Sequence, residues 1–98
     1  MTRYRVLSWR GIPMQIKVHE GDERTVSREL PPWFSEHIDR VAMRDGLYGS
    51  DAYLEQLEWS EYIERDGSAE AVAAEILAEL QAEWAATRSR WERTGELD

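Results

Sequence analysis

The segment Met14-Gln15-Ile16-Lys17-Val18-His19 alternates apolar and polar side chains with a two-residue period, the pattern of a strand with one face on a core and the other in water. A sheet built on such a strand cannot stand alone, because its apolar face has to be covered by another layer. Upstream, Tyr4-Arg5-Val6-Leu7-Ser8-Trp9-Arg10 is rich in β-branched and aromatic residues and stops at Gly11-Ile12-Pro13. Glycine there permits a turn, and proline has no N–H to give to a ladder. The two runs predict a β-hairpin whose tip is Trp9 to Pro13. Glu20-Gly21-Asp22-Glu23 reads as a second turn, and Arg24-Thr25-Val26-Ser27-Arg28 as a short third strand with the polar character of a sheet edge.

The covering layer is predicted from the rest of the chain. Leu30-Pro31-Pro32 redirects the backbone, and a proline in a first helical turn gives up no hydrogen bond. Phe34, Ile38, Val41 and Ala42 then fall on one side of a helix over residues 32–45, with Glu36 and Arg40 paired on the wet side and Gly46 as a left-handed cap on which Leu47 folds back. Ser50 is placed to cap a short helix from Asp51 to about Gln56, with Tyr53, Leu54 and Leu57 facing inward. Residues 58–65 fit either a strand or a helical side, and the Asp66-Gly67-Ser68 stop favours strand. From Ala69 to Arg93 the chain is rich in Ala, Glu and Leu, with Val72, Ile76, Leu80, Trp84 and Trp91 near one line, so a long final helix is predicted. The expectation is an α+β fold in which residues 1–98 form one domain. Its antiparallel sheet has three to four strands, the N-terminal hairpin plus a later strand, packed against two main helices.

Composition narrows the chemistry. There is no cysteine in the 98 residues, which removes disulfides, thiol nucleophiles, thiolate zinc sites and iron–sulfur ligation together. Twelve basic against twenty acidic side chains give a net charge of −8, unfavourable for nucleic acid or an anionic membrane. The excess acidity belongs to the second half, where Arg65 is the only basic residue between Asp51 and Glu83. No stretch approaches the ~18 consecutive apolar residues of a membrane span, and the first residues lead straight into the alternating strand, so a cytoplasmic location is expected. Scattered glycines match no phosphate-cradling loop, and no serine lies in a nucleophile motif.

Neither His19 nor His37 has ligand-type residues at metal-binding spacing, so both read as structural or solvent-facing, and no metal or cofactor is expected. Glu75, Glu79 and Glu83 repeat at four-residue spacing and read as a solvated face. Five tryptophans in so short a chain carry more information, since Trp serves both small cores and binding hot spots. Trp9 and Trp84 are assigned to the core. Trp33, beside two prolines, and Trp91, beyond the densest part of the stripe, are open to either burial or partner contact.

Tyr4 to Val18, reading YRVLSWRGIPMQIKV, is followed by Ile38-Asp39-Arg40-Val41-Ala42-Met43, then by Gly49-Ser50-Asp51-Ala52-Tyr53-Leu54 and by Trp59. This order resembles a small bacterial virulence-factor family, related to a domain of a staphylococcal conserved virulence factor, over roughly residues 3 to 80. The resemblance carries no catalytic assignment with it. With no nucleophile, metal or cofactor constellation in the sequence, the expectation is a non-enzymatic protein-interaction or accessory module with a protein partner or a homodimer. The alternative the resemblance implies is a small-ligand-binding or accessory subunit of a metabolic enzyme, with one-carbon metabolism as the branch that relatives point to. The matching motifs leave two readings open: a binding face from Arg10, Gln15, Asp39, Met43, Asp51 and Tyr53, with Trp33 and Trp91 as its apolar part, or structural roles in which Asp51 starts a helix, Tyr53 packs on the hairpin and Arg10 pairs with an acid.

Overall fold

A computed structural model describes residues 1–96. The alternating segment lies in strand β2 (Ile12–Glu20), flanked by β1 (Thr2–Trp9) and by β3 (Arg24–Glu29), all antiparallel. Helices α1 (Pro32–Arg44) and α2 (Asp51–Glu55) follow, then β4 (Leu57–Trp59), β5 (Ile63–Glu64) and the long helix α3 (Ala69–Thr94). The fold is α+β, with sheet order β3-β2-β1-β4 and β5 also pairing with β1. One strand more than expected arises because the run 58–65 splits in two. At the break the Ser60 hydroxyl accepts the Val6 N–H at 2.9 Å, taking the place of a ladder carbonyl.

The hairpin turns on Arg10 and Gly11, at φ 49° and 84°. Two successive positive φ values are the mark of the primed turn that matches the twist of a two-residue hairpin. Pro13 is accommodated by a bulge: Leu7 faces Gln15 while Ser8 faces Pro13, so Met14 is an extra residue on β2. The displaced Met14 carbonyl accepts the Leu30 N–H at 3.0 Å, tying the bulge to the entrance of α1.

Both main helices cover the same face of the sheet. Ile16, Val18 and Val26 meet Phe34, Ile38, Val41 and Ala42 of α1 and Val72, Ala73 and Ile76 of α3 in one buried cluster. Proline stands at the start of α1, and Leu47 folds back to donate to the Ala42 carbonyl at 2.8 Å, as expected. Ser68 caps α3 by accepting the Ala71 N–H at 3.2 Å, and Gly95 ends it in the left-handed conformation. The 26 residues of α3 span about 39 Å at 1.5 Å per residue. Only its first two turns are buried against the sheet; the remainder runs on beside α1.

Some local expectations are corrected. Ser50 does not cap α2; its hydroxyl donates instead to the Leu47 carbonyl at 2.6 Å, closing the preceding turn. Leu54 faces outward at 62% exposure, because the five-residue α2 has one narrow inner side and Tyr53 occupies it. Trp33 belongs to the core at 6% exposure, stacked on His37 at 4.8 Å and edge-on to Phe34. Trp84 is half-buried, touching the rings of Phe34 and His37 from the distal part of α3. Trp91 is also half-buried, under the Arg40 guanidinium at 3.7 Å from its ring centre.

Trp9 is fully buried while Leu54 lies on the surface of the neighbouring helix. Trp9→Ala is therefore expected to lower the unfolding free energy by about 3–5 kcal/mol, and Leu54→Ala to change it by less than about 0.5 kcal/mol. Urea denaturation midpoints of the two variants check this directly.

Candidate functional site

With α1 and α3 both on one side, the opposite face of the sheet is left without a helical layer. The register puts two cations across from one another there, Arg5 opposite Lys17, next to Arg3 opposite His19. Such pairs repel unless something intervenes. Here aromatic rings do so. Leu7 pairs with Trp59 across β1 and β4, and this register lays the Trp59 ring beneath the Arg5 guanidinium at 4.3 Å, with the Lys17 ammonium at 6.0 Å. Tyr62, between β4 and β5, takes Arg3 and Arg5 at 4.9 Å each. A cation over an aromatic face gains about 0.5–1 kcal/mol at a partly exposed site, enough to offset close packing of like charge.

His19 completes the strip. Its Nε2 is 3.2 Å from the Tyr62 hydroxyl and its Nδ1 3.0 Å from the Thr25 hydroxyl. Burial, and then the charges of Arg3, Lys17 and Arg5, hold its pKa below the ordinary 6.5. Among the described residues, Arg3, Arg5 and Lys17 form no ion pair with a carboxylate. In a chain of net charge −8, this is a locally positive surface with one indole and one phenol ring at its centre.

The residues singled out from the sequence lie elsewhere and only partly meet. Arg10 donates to Asp45 at 2.6 Å, and Arg44 reaches the same carboxylate at 3.0 Å. These two guanidiniums hold the Asp45 carboxyl below the usual carboxylate range. Tyr53 packs tilted against Trp9 at 5.3 Å and edge-on to Tyr48 at 6.4 Å. Burial, the Asp39 carboxylate and Tyr48 together push its phenol pKa up, which puts Asp39 and Tyr53 at the same corner. Met43 is 66% exposed on α1, and Asp51 is exposed at the start of α2. No hydrogen bond or ion pair joins Asp51 to Arg10, Asp39 or Tyr53 among the described residues. Gln15 lies across the sheet, between Leu7 and Glu29, at the mouth of a cleft formed with Met14, Leu30 and Pro31. Of the two tryptophans, Trp33 is inside and Trp91 is covered by Arg40.

The cation–aromatic strip escaped sequence reasoning, although Arg3, Arg5 and Lys17 are visible there as a small basic cluster at strand spacing. What was missing is the return of residues 59–62 alongside β1, a long-range pairing that no local pattern encodes. Among the described residues no group of three or more His, Cys, Asp or Glu is placed to hold a metal ion. No helix among them is long and apolar enough to cross a membrane.

The burial of His19 and the cations around it yield a titration prediction. Its folded-state pKa is depressed, so the stability tied to neutral His19 is fully present above the unfolded value and declines as the pH falls below it. The His19 imidazole resonances are expected to titrate with a midpoint below 6.5, and Arg5→Gln to move that midpoint upward. A pH series of NMR spectra on both proteins checks the sign.

Comparison with curated proteins and with solved structures gives no match. A family model described as "Virulence factor" matches residues 7–90, from the end of β1 through most of α3. That span holds the hairpin tip, the covering helices and the β4 return that builds the cation–aromatic strip, and by it the chain belongs to the virulence factor family.

Proposed function

We propose that this chain is a non-enzymatic interaction module that docks an acidic segment of a partner protein on the uncovered face of its sheet. The carrying observation is the strip of Arg3, Arg5 and Lys17 around Trp59 and Tyr62, positive in an otherwise acidic chain and free of carboxylate partners among the described residues. Trp, Tyr and Arg are the side chains most enriched in binding hot spots, and opposite charge steers the encounter. An acidic peptide answers both the charge and the half-covered rings.

Single-stranded nucleic acid fits the same face less well. Base stacking needs an open aromatic face, and here the Trp59 and Tyr62 faces already carry guanidinium groups at 4.3–4.9 Å. The net charge of −8 adds a repulsion that a peptide of mixed sequence does not feel as strongly. A small-ligand role has separate support in a cleft behind the hairpin tip.

The test is capture of an identified partner from an extract of the native host by the full chain, repeated with an Arg3→Gln, Arg5→Gln, Lys17→Gln triple variant that retains its circular dichroism spectrum. The triple variant is expected to lose that partner by about tenfold or more, and binding to the parent chain to weaken as salt rises. A Glu75→Gln, Glu79→Gln, Glu83→Gln variant is expected to keep it. Undiminished capture by the first variant would overturn the proposal. So would preferential binding of a single-stranded oligonucleotide, or self-association through this face in light scattering.

A further inference from the structure

Behind the hairpin tip, between α1 and the distal half of α3, lies a cleft of about 230 Å³ lined by Arg10, Ile12, His37, Val41, Trp84, Thr87 and Arg90. We infer that this cleft binds a small organic oxyanion, a carboxylate or phosphate ester gripped by the Arg10 and Arg90 guanidiniums, with its apolar body on Trp84, Ile12 and Val41.

Four observations converge on this. First, among the described residues the lining contains two arginines and no carboxylate, in a chain where one residue in five is Asp or Glu. Second, Arg10 is the only non-glycine among the described residues with a positive φ, at 49°. Strain of this kind persists where surrounding structure enforces it, and it gathers at ligand clamps. Here the enforcement is visible, in the Arg10 N–H donating to the Gln56 carbonyl at 3.3 Å and in the Asp45 bridge. Third, Asp45 does not belong to Arg10 alone but is shared with Arg44, and Arg90, without an ion pair among the described residues, brings a second guanidinium to the lining. Arg10 commits only one terminal nitrogen to Asp45, leaving donors of its planar fork for an oxyanion. Fourth, the lining joins apolar and aromatic side chains, Ile12, Val41 and Trp84, to a few polar ones, Thr87 and the two arginines, the mixture that small-molecule sites show. Trp84 is half-buried with its ring at the cleft, packed against Phe34 and His37 on the inner side.

The volume is below that of sites for drug-sized ligands, which run from about 300 Å³ upward. It fits an occupant of one ring or a short chain bearing one anionic group. Phenyl phosphate and benzoate carry the two oxyanion chemistries on the same apolar body, and inorganic phosphate carries the charge without it.

The test is an NMR titration of the full chain with each of the three probes, reading the Trp84 indole N–H. Phenyl phosphate or benzoate is expected to bind with an affinity of order 1 mM, and inorganic phosphate more weakly. The stronger of the first two identifies the oxyanion. Arg90→Ala is expected to weaken binding about tenfold, because an Arg–oxyanion pair is a charge-assisted contact. Arg10→Asn is expected to do the same while keeping the turn, which favours asparagine at positive φ. Arg93→Ala, one turn on and outside the lining, is expected to bind as the parent does. The inference is overturned if no probe shifts Trp84 at about 10 mM, or if Arg90→Ala and Arg10→Asn bind as tightly as the parent.

Discussion

Trp9 is the residue on which the geometry of both surfaces depends. It ends β1 with no exposed area, its ring against Tyr53 at 5.3 Å and its indole N–H donating to the Tyr53 carbonyl at 2.8 Å. A buried indole needs a partner for that N–H, and finding it on α2 fixes the short helix to the hairpin end. Three consequences follow from this one anchor. The turn residue Arg10 is delivered beside Asp45 at the end of α1. Leu57 is brought opposite Trp9, which sets the register of β4. That register then places Trp59 beneath Arg5 on the far side of the sheet.

Much of this architecture was legible because it is local. The two-residue alternation of β2, the proline entry to α1, the Ser68 cap and Gly95 stop of α3 are each encoded within a few residues. What stayed hidden depends on distant partners. The bulge at Met14 is a consequence of Pro13 meeting Ser8 across the hairpin. Ser50 has the residue type of a cap yet spends its hydroxyl on Leu47, because the preceding turn offers the nearer acceptor. Burial of Trp33 and of Trp91 is open in the sequence alike, but one lies against the core rings and the other under Arg40, a difference made by how far α3 overruns the sheet. The sequence-derived binding residues share this fate: Arg10, Asp39 and Tyr53 gather near the hairpin end, while Gln15 is held across the sheet by its pairing with Glu29.

The charge asymmetry of the chain also changes meaning in three dimensions. The acidic run after Asp51 is not wholly solvated. Arg65, the lone basic residue of that stretch, reaches Glu79 at 2.5 Å and Glu75 at 3.7 Å, and Arg24 of the edge strand pairs with Glu70. These contacts clip β3 and the β5 end to α3 and leave the acidic character on the helical side. The cations of β1 and β2 lie on the other side of the sheet, where rings lie against them and Glu64 of β5 stands opposite Arg3 in the register without an ion pair. The molecule is therefore polarised across its thickness, which a net charge of −8 conceals.

Arginine at position 10 is the point where local preference and structure part company. A primed two-residue turn ending in glycine favours asparagine or aspartate at its first position. A larger side chain in the left-handed region costs about 1–2 kcal/mol. The Asp45 bridge does not clearly return that energy, since its side chains keep 41% and 29% of their surface exposed and such pairs contribute about 0–1 kcal/mol. Turn chemistry and stability both argue for another residue. What arginine alone adds is a planar cation in the lining of a cleft that Arg90 of α3 also lines. On the inference drawn above, arginine is kept there for the oxyanion its side chain would hold, not for the backbone it strains.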